Sequence, residues 1–206
     1  MRSGNRSDGQ EPSFIERARR AQIIDATLQV VAEQGFAGAS LARIAKKAGI
    51  SKSIVLYHFT NKNALLEAAV WQFFTATEAH MSPLLTAEST ASGYLRAWIT
   101  GQISFFAFNR VGFLAMAEIV GGLRRADGTR VFAEIDNDEL AYIASILRQG
   151  QEEGEFREFD VDEYAALINR IVNGILIDWH EDSSSDLTSH AIVAAEFVLH
   201  ATRRHP

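Results

Sequence analysis

Apolar residues recur along most of this chain at three- and four-residue intervals, the spacing of one helix face, while alternating strand-like runs are scarce. A stripe of Ile23, Ile24, Leu28 and Val31 predicts a first helix over 14–34, with Gly35 as its stop. Ser40, Ser51 and Asn61 each precede a periodic segment and predict N-caps for helices over 41–48, 52–58 and 62–80. The fourth helix carries Leu66, Val70, Phe73, Phe74, Thr77 and Met81 on one stripe and is expected to end ahead of Pro83. Five more helices follow, over 88–108, 111–122, 128–153, 161–180 and 187–203. The seventh turns Phe132, Ile135, Tyr142, Ile143, Ile146 and Leu147 inward, and the polar loop Glu181–Asp186 separates the last two. Asp127-Gly128 has hairpin chemistry but sits in a charged segment, and the seventh helix is drawn from Gly128 onward. The expected fold is all-α, with about nine helices. A tail over 1–13 is expected to be disordered, followed by a small three-helix unit over 14–61 and a larger helical body over 62–206.

The small unit has an internal logic. Helices of seven or eight residues are not stable alone. The second and third are joined by Ala48-Gly49-Ile50, where the glycine supplies the backbone freedom of a tight interhelical turn. Ala45 is small where the two helices approach each other. Ile44, Ile50, Val55 and Phe59 are spaced to close a miniature core with Ile24 and Leu28 of the first helix. That leaves Lys52, Ser53, Tyr57 and His58 pointing outward, with Lys62 at the next helix start. Ammonium groups neutralise phosphates, while hydroxyls bond to phosphates or base edges.

Charge sharpens this picture. The chain of 206 residues has a net charge of -6, which by itself disfavours a nucleic-acid partner. Yet residues 1–62 hold 10 Lys and Arg against 5 Asp and Glu, whereas residues 63–206 hold 10 against 21. All four lysines, Lys46, Lys47, Lys52 and Lys62, lie in the first part. A basic end facing nucleic acid is joined to an acidic body. The absence of cysteine excludes disulfides and thiolate metal sites. No secretion signal and no apolar run of the roughly 18 residues needed to span a bilayer is present, so a cytoplasmic protein is expected. Phosphate loops, HExxH and GxSxG are absent. The nearest polar cluster, Asp178, His180, Glu181 and Asp182, lies at a helix end with poor metal spacing, so no catalytic group, metal or cofactor is expected.

Residues 20–66 closely resemble the DNA-binding domain of TetR-type regulators. The first helix closes on EQGFAGAS, and LARIAKKAGISKSIVLYHFTNKNALL follows. Ala48, Gly49, Ile50, Ser51, Lys52, Tyr57, His58, Phe59, Asn61, Lys62 and Leu65 fit the family pattern; Ser53 departs from it, standing where glycine or proline is common. The resemblance implies Ser40, Arg43, Lys52, Ser53, Tyr57, His58 and Lys62 as contacts to an operator in double-stranded DNA. Tyr57 and Lys62 would grip phosphates, and Lys52 and Ser53 would face base edges. Arg43 has the alternative of serving the surface of the second helix. Arg2 and Arg6 could reach a minor groove or belong to an idle tail.

Over the body the resemblance is looser: helix layout, and the stretch Gly150–Phe156 (GQEEGEF) that often closes the seventh helix. It implies an effector cavity among the aromatics, for which Phe74, Met81, Trp98, Gln102, Phe105, Phe113, Met116, Tyr142, Asn169 and Asn173 are candidates. The two asparagines are polar anchors or interhelical hydrogen-bonding partners. These helices carry no excess of basic residues, so a small, largely apolar or aromatic effector is expected rather than a polyanion. Residues 161–180 are apolar nearly all round, and 187–203 repeat apolar residues at 191, 192, 195, 198, 199 and 202. A simple intramolecular core is one reading of both segments; the resemblance implies instead a homodimer through them, placing two recognition helices ~34 Å apart on a near-palindromic operator. The implied function is a repressor released by ligand, though a ligand could equally strengthen DNA binding. The alternatives are a regulator with a protein input or no small-molecule input, and an all-α enzyme.

Overall fold

The computed structural model describes residues 13–133, 135–181 and 186–204. Among them lie nine helices and no named strand: α1 (Phe14–Gly38), α2 (Leu41–Lys47), α3 (Lys52–His58), α4 (Lys62–Thr86), α5 (Ala91–Phe108), α6 (Arg110–Gly122), α7 (Ile135–Glu152), α8 (Val161–Glu181) and α9 (Leu187–Thr202). The fold is all-α. The tail with Arg2 and Arg6, most of the loop between α8 and α9, and the side chain of Ile135 lie outside the described residues.

Local chemistry sets most helix ends. Ser13 and Glu16 form a reciprocal capping box at the start of α1, the Ser13 hydroxyl accepting from the Glu16 amide and the Glu16 carboxylate from the Ser13 amide. Regular α1 geometry breaks at Gly35, whose φ of 70° is left-handed, and a short turn carries the chain on to Gly38. Ser40, Ser51 and Asn61 cap α2, α3 and α4 by accepting from the amides of Arg43, Ile54 and Ala64.

Two predicted boundaries are corrected, in each case because another interaction overrides the local pattern. The fourth helix does not stop ahead of Pro83 but runs through it to Thr86. Proline inside a helix costs ~3 kcal/mol. Buried Met81 and partly buried Leu85, packed on the body core to either side of the proline, offset that cost. The seventh helix starts at Ile135, seven residues later than predicted from 128. Asp127-Gly128 instead forms a tight turn closed by a bridge between Arg124 and Arg130. The Asp127 carboxylate accepts from both the amide and the hydroxyl of Thr129, at 2.9 and 2.6 Å, and these local bonds compete with the helix.

Two hydrophobic cores result. One gathers Ile23, Val30 and Val31 of α1, Ile44 of α2, Val55 of α3, and Leu65, Leu66, Ala69 and Val70 of α4. It also takes in Ala115 and Ile119 of α6. The other is built on α5, whose Trp98, Ile99, Ile103 and Phe105 pack with Ile143 and Leu147 of α7, Leu176 of α8 and Val198 of α9. Helices α4 and α6 contribute to both, with Phe73, Met81 and Phe113 in the second. Tyr142, expected inward, is 40% exposed and faces a cavity rather than the core. No single helix among the described residues is long and apolar enough to cross a membrane.

Candidate nucleic-acid interface and ligand cavity

The link between α2 and α3 is a Schellman turn. The Ile50 amide donates to the Ala45 carbonyl at 3.0 Å and the Gly49 amide to Lys46 at 3.2 Å, with Gly49 at φ 66°. Fully buried Ile44 and Val55, with Phe59 at 3% exposure, seat both helices on α1. Two side chains of α1 finish the helix ends that the turn leaves open. Arg20 donates to the His58 carbonyl at 2.6 Å and stacks over the Phe59 ring, and Gln22 donates to the Ala48 carbonyl at 2.8 Å. Sequence reasoning missed both residues, since they act on partners 38 and 26 positions away.

What remains exposed on α3 is a compact set. Lys52, Ser53 and Tyr57 face solvent, Tyr57 at 67% exposure; Ser53 and Tyr57 lie across the helix from buried Val55, and Lys52 stands at its first turn. Ile54 and Leu56 are also exposed, at 40% and 42%, and were not singled out from the sequence. His58 is half-buried, its ring edge-on to Tyr57 at 5.1 Å. Ser40 is exposed at the start of α2, and the Arg43 guanidinium turns back onto the Gly38 carbonyl.

Lys62 sits differently from the rest. Its ammonium donates to the Phe36 carbonyl at 3.1 Å and lies over the Phe36 ring, and partial burial lowers its pKa. The amide of Phe36 donates in turn to Glu118 of α6 at 3.0 Å. The end of α1 is thus held from α4 and from α6 at one residue.

Behind this head, a cavity of about 540 Å³ opens between α4, α5, α6, α7 and α8. Of the predicted residues, Phe74, Met81, Trp98, Gln102, Phe113, Met116, Tyr142 and Asn173 line it. Phe105 and Asn169 do not. Phe105 turns to the far side of α5, stacking edge-on against Phe73 at 5.4 Å and lining a separate groove beside α1. Asn169 is one helical turn away and accepts a 2.8 Å hydrogen bond from Asn173. Unforeseen were Trp71, Glu78 and Phe106, and also Asp138 and Glu139 at the start of α7. Trp71 and Glu78 stand one position after Val70 and Thr77 of the stripe chosen for the core and share a helix face with its Phe74 and Met81.

A braced helix-turn-helix with a hydroxyl- and lysine-bearing second helix, mounted on an all-α body with a cavity, defines the class of helix-turn-helix regulators. Residues 23–69 match the family model of bacterial regulatory proteins of the tetR family. Ninety residues are 41% identical to the HTH-type transcriptional regulator BetI of Ectopseudomonas mendocina, covering 43% of this chain and 46% of that protein. BetI of Cronobacter sakazakii is 40% identical over 134 residues, 59% of this chain and 65% of the relative. These matches span less than two thirds of each relative's length. In fold, the chain is similar to the transcriptional regulator FadR from Bacillus subtilis in complex with stearoyl-CoA, with a TM-score of 0.75 and 24% identity over 87% of this chain and 97% of that one. Residues 23–69 are thus similar to the DNA-binding part of the tetR family of bacterial regulatory proteins, and the chain as a whole shares the fold of solved regulators.

Proposed function

We propose that the chain is a transcriptional repressor that binds a near-palindromic DNA operator as a homodimer and is released by a small molecule held in the α4–α8 cavity. The observation that carries the DNA half is the exposure of Lys52, Ser53 and Tyr57 on α3, a helix seated on the head by buried Val55 and Phe59. Lys52 and Ser53, in the first turn, face base edges, while Tyr57 takes a phosphate. Exposed Leu56 adds an apolar contact of the kind a thymine methyl offers. His58, Ser40 and Arg43 contribute at the edge of this face, Arg43 after release of its Gly38 contact. Lys62 reaches a phosphate only by leaving Phe36, so its first duty is to fix the end of α1. A DNA partner locates the protein in the cytoplasm.

The dimer rests on α8 and α9. Leu167 and Ile177 on α8 and Ile192, Val193 and Phe197 on α9 are exposed in the single chain, apolar side chains that a second copy would cover. A Cβ at Gly174 would meet nothing within 4 Å, leaving room for close approach by a second copy.

Release by ligand follows from the helices that line the cavity. Trp71, Phe74 and Met81 belong to α4, and Phe113, Met116 and Val120 to α6. The same two helices hold Phe36, at Lys62 and Glu118. A ligand that separates α4 from α6 therefore shifts the end of α1 and with it the recognition helix, costing phosphate contacts. A structural neighbour holds stearoyl-CoA, and a cavity of about 540 Å³ is of the size that ligands occupy.

Selection of bound sequences from a random duplex pool tests the DNA half. A two-fold-symmetric sequence is expected to be enriched, and Tyr57→Ala or Lys52→Ala to lose the enrichment while remaining folded. A pool without symmetric enrichment overturns the reading.

A further inference from the structure

We propose that the α4–α8 cavity selects an organic cation with an aromatic or otherwise apolar body, an inference that rests on the reading of this cavity as the effector site. The argument begins with Gln102 on α5. Its side chain is only 9% exposed and lines the cavity. Its Nε2 donates to a carboxylate oxygen of Glu139 at 3.2 Å. Its Oε1 is buried and has no hydrogen-bond partner. The amide cannot be turned over to relieve this, because Oε1 would then face the Glu139 carboxylate, acceptor against acceptor. The cavity thus holds a buried acceptor fixed in orientation, and a buried acceptor left unmet is costly. It calls for a donor from the occupant.

The charge of the wall points the same way. Glu78, Asp138 and Glu139 line the cavity, and among the described residues no lysine, arginine or histidine lines it. Glu78 and Asp138 are exposed and Glu139 is half-buried, so negative charge runs from the mouth inward to the Gln102 amide. Such an arrangement concentrates cations and repels anions. The remaining wall is aromatic, with Trp71, Phe74, Trp98 and Phe106 among it, and the electron-rich faces of aromatic rings attract cations. A protonated amine satisfies the Gln102 oxygen through N–H. A quaternary ammonium does so less directly, through its polarised C–H groups. A neutral apolar ligand would lie against the exposed carboxylates of Glu78 and Asp138 without meeting their charge, and an anion would meet like charges and a fixed acceptor.

Isosteric probes of opposite charge test this on the full chain. Benzyltrimethylammonium is compared with its neutral carbon isostere neopentylbenzene, and tetraphenylphosphonium with tetraphenylborate, by calorimetry and by quenching of tryptophan fluorescence. Each cation is expected to bind at least about tenfold more tightly than its partner. The double variant Glu78→Gln/Asp138→Asn, at exposed positions that folding tolerates, is expected to weaken cation binding by about tenfold and to narrow the preference. Gln102→Leu should reduce the affinity of a primary-amine probe, 4-phenylbutylamine, more than that of benzyltrimethylammonium. Neopentylbenzene or tetraphenylborate binding as tightly as the matching cation, or a charge preference unchanged in the double variant, overturns the cation inference and leaves the cavity as an effector site. Failure of all these probes to bind overturns both.

Discussion

Glu155 shows how much a single side chain can do in this molecule. It lies in the loop after α7, yet its carboxylate accepts from the amides of Ala91 and Ser92 and from the Ser92 hydroxyl, at 3.1, 3.0 and 2.7 Å. It is a second cap on α5, supplied from 63 residues away, beside the local cap from Thr90. Partial burial pushes its carboxyl pKa up, but the hydrogen bonds from Ser92 and Ala91 outweigh this and hold it below its ordinary value of 4.5. A carboxyl depressed in the folded state contributes stability that is complete above its unfolded pKa and is lost as pH falls through the folded one. Glu155→Gln is therefore expected to cost ~1 kcal/mol at neutral pH, a modest figure because the site is partly open to water. Urea denaturation of the two proteins checks this: their midpoints should differ at pH 7 and converge as the pH drops below the carboxylate range. A difference that persists in acid would mean that shape, not charge, matters at this position. The stretch GQEEGEF was legible as a helix-closing signal, but not the reach of Glu155 to α5. Its glycine also has a local reason: a Cβ at Gly150 would run into the ring of buried Phe156.

At the scale of elements, α3 is the test case. Seven residues cannot hold a helix by themselves, so α3 owes its geometry to Val55 and Phe59 and to the Arg20 and Gln22 contacts from α1. Arg20→Ala is expected to destabilise the chain by about 1–2 kcal/mol, since it leaves the His58 carbonyl short of a partner and uncovers Phe59. Arg20→Lys should recover less than half, because a lysine cannot both bond the carbonyl and stack flat on the ring. Hydrogen exchange would localise the effect, with α3 amides speeding up and those of α8 unchanged. Equal acceleration in both helices would refute a brace specific to α3. The helix-turn-helix was readable because its determinants are local: three capping residues, one turn glycine and a short apolar pattern. The end of α4 and the start of α7 were not, because Leu85 gains its packing from distant helices and Asp127 bonds within its own turn. The cavity was half-readable for the same reason. Aromatic positions follow the helical period. Glu78, Asp138 and Glu139, polar residues on otherwise mixed faces, look like solvent-facing positions until the fold brings α4 and α7 to one cavity.

Across the whole molecule, two cores share α4 and α6, so head and body cannot move independently of either helix. The contact between the Phe36 amide and Glu118 is where α6 holds the head directly. Glu118→Ala is expected to leave operator binding within about threefold of wild type and to reduce the change in affinity that a saturating effector produces. Measuring operator affinity with and without a bound cavity probe checks this; full retention of the effect would leave α4 as the only route.

The proposed homodimer also belongs to the scale of the whole chain. Trp179, Leu176 and Val172 turn α8 inward, while Leu167 and Ile177 on the same helix stay exposed. On α9, Ala195 and Val198 are buried beside exposed Val193 and Phe197. A helix pair apolar on two sides is covered on one side by its own chain and needs a second surface for the other. Because Phe197 is 64% exposed in the single chain, Phe197→Glu should change the stability of the isolated fold by no more than ~0.5 kcal/mol. In a two-fold interface the same substitution sets two glutamates into one apolar contact, so it acts twice. Sedimentation equilibrium should then give twice the 22.8 kDa chain mass for the wild type and a single chain for the variant. Operator binding should weaken with it, as two heads no longer engage a symmetric site together, and the salt dependence per bound protein should fall by about half. A Phe197→Glu protein that remained dimeric with unchanged operator affinity would move the interface away from α8 and α9 altogether.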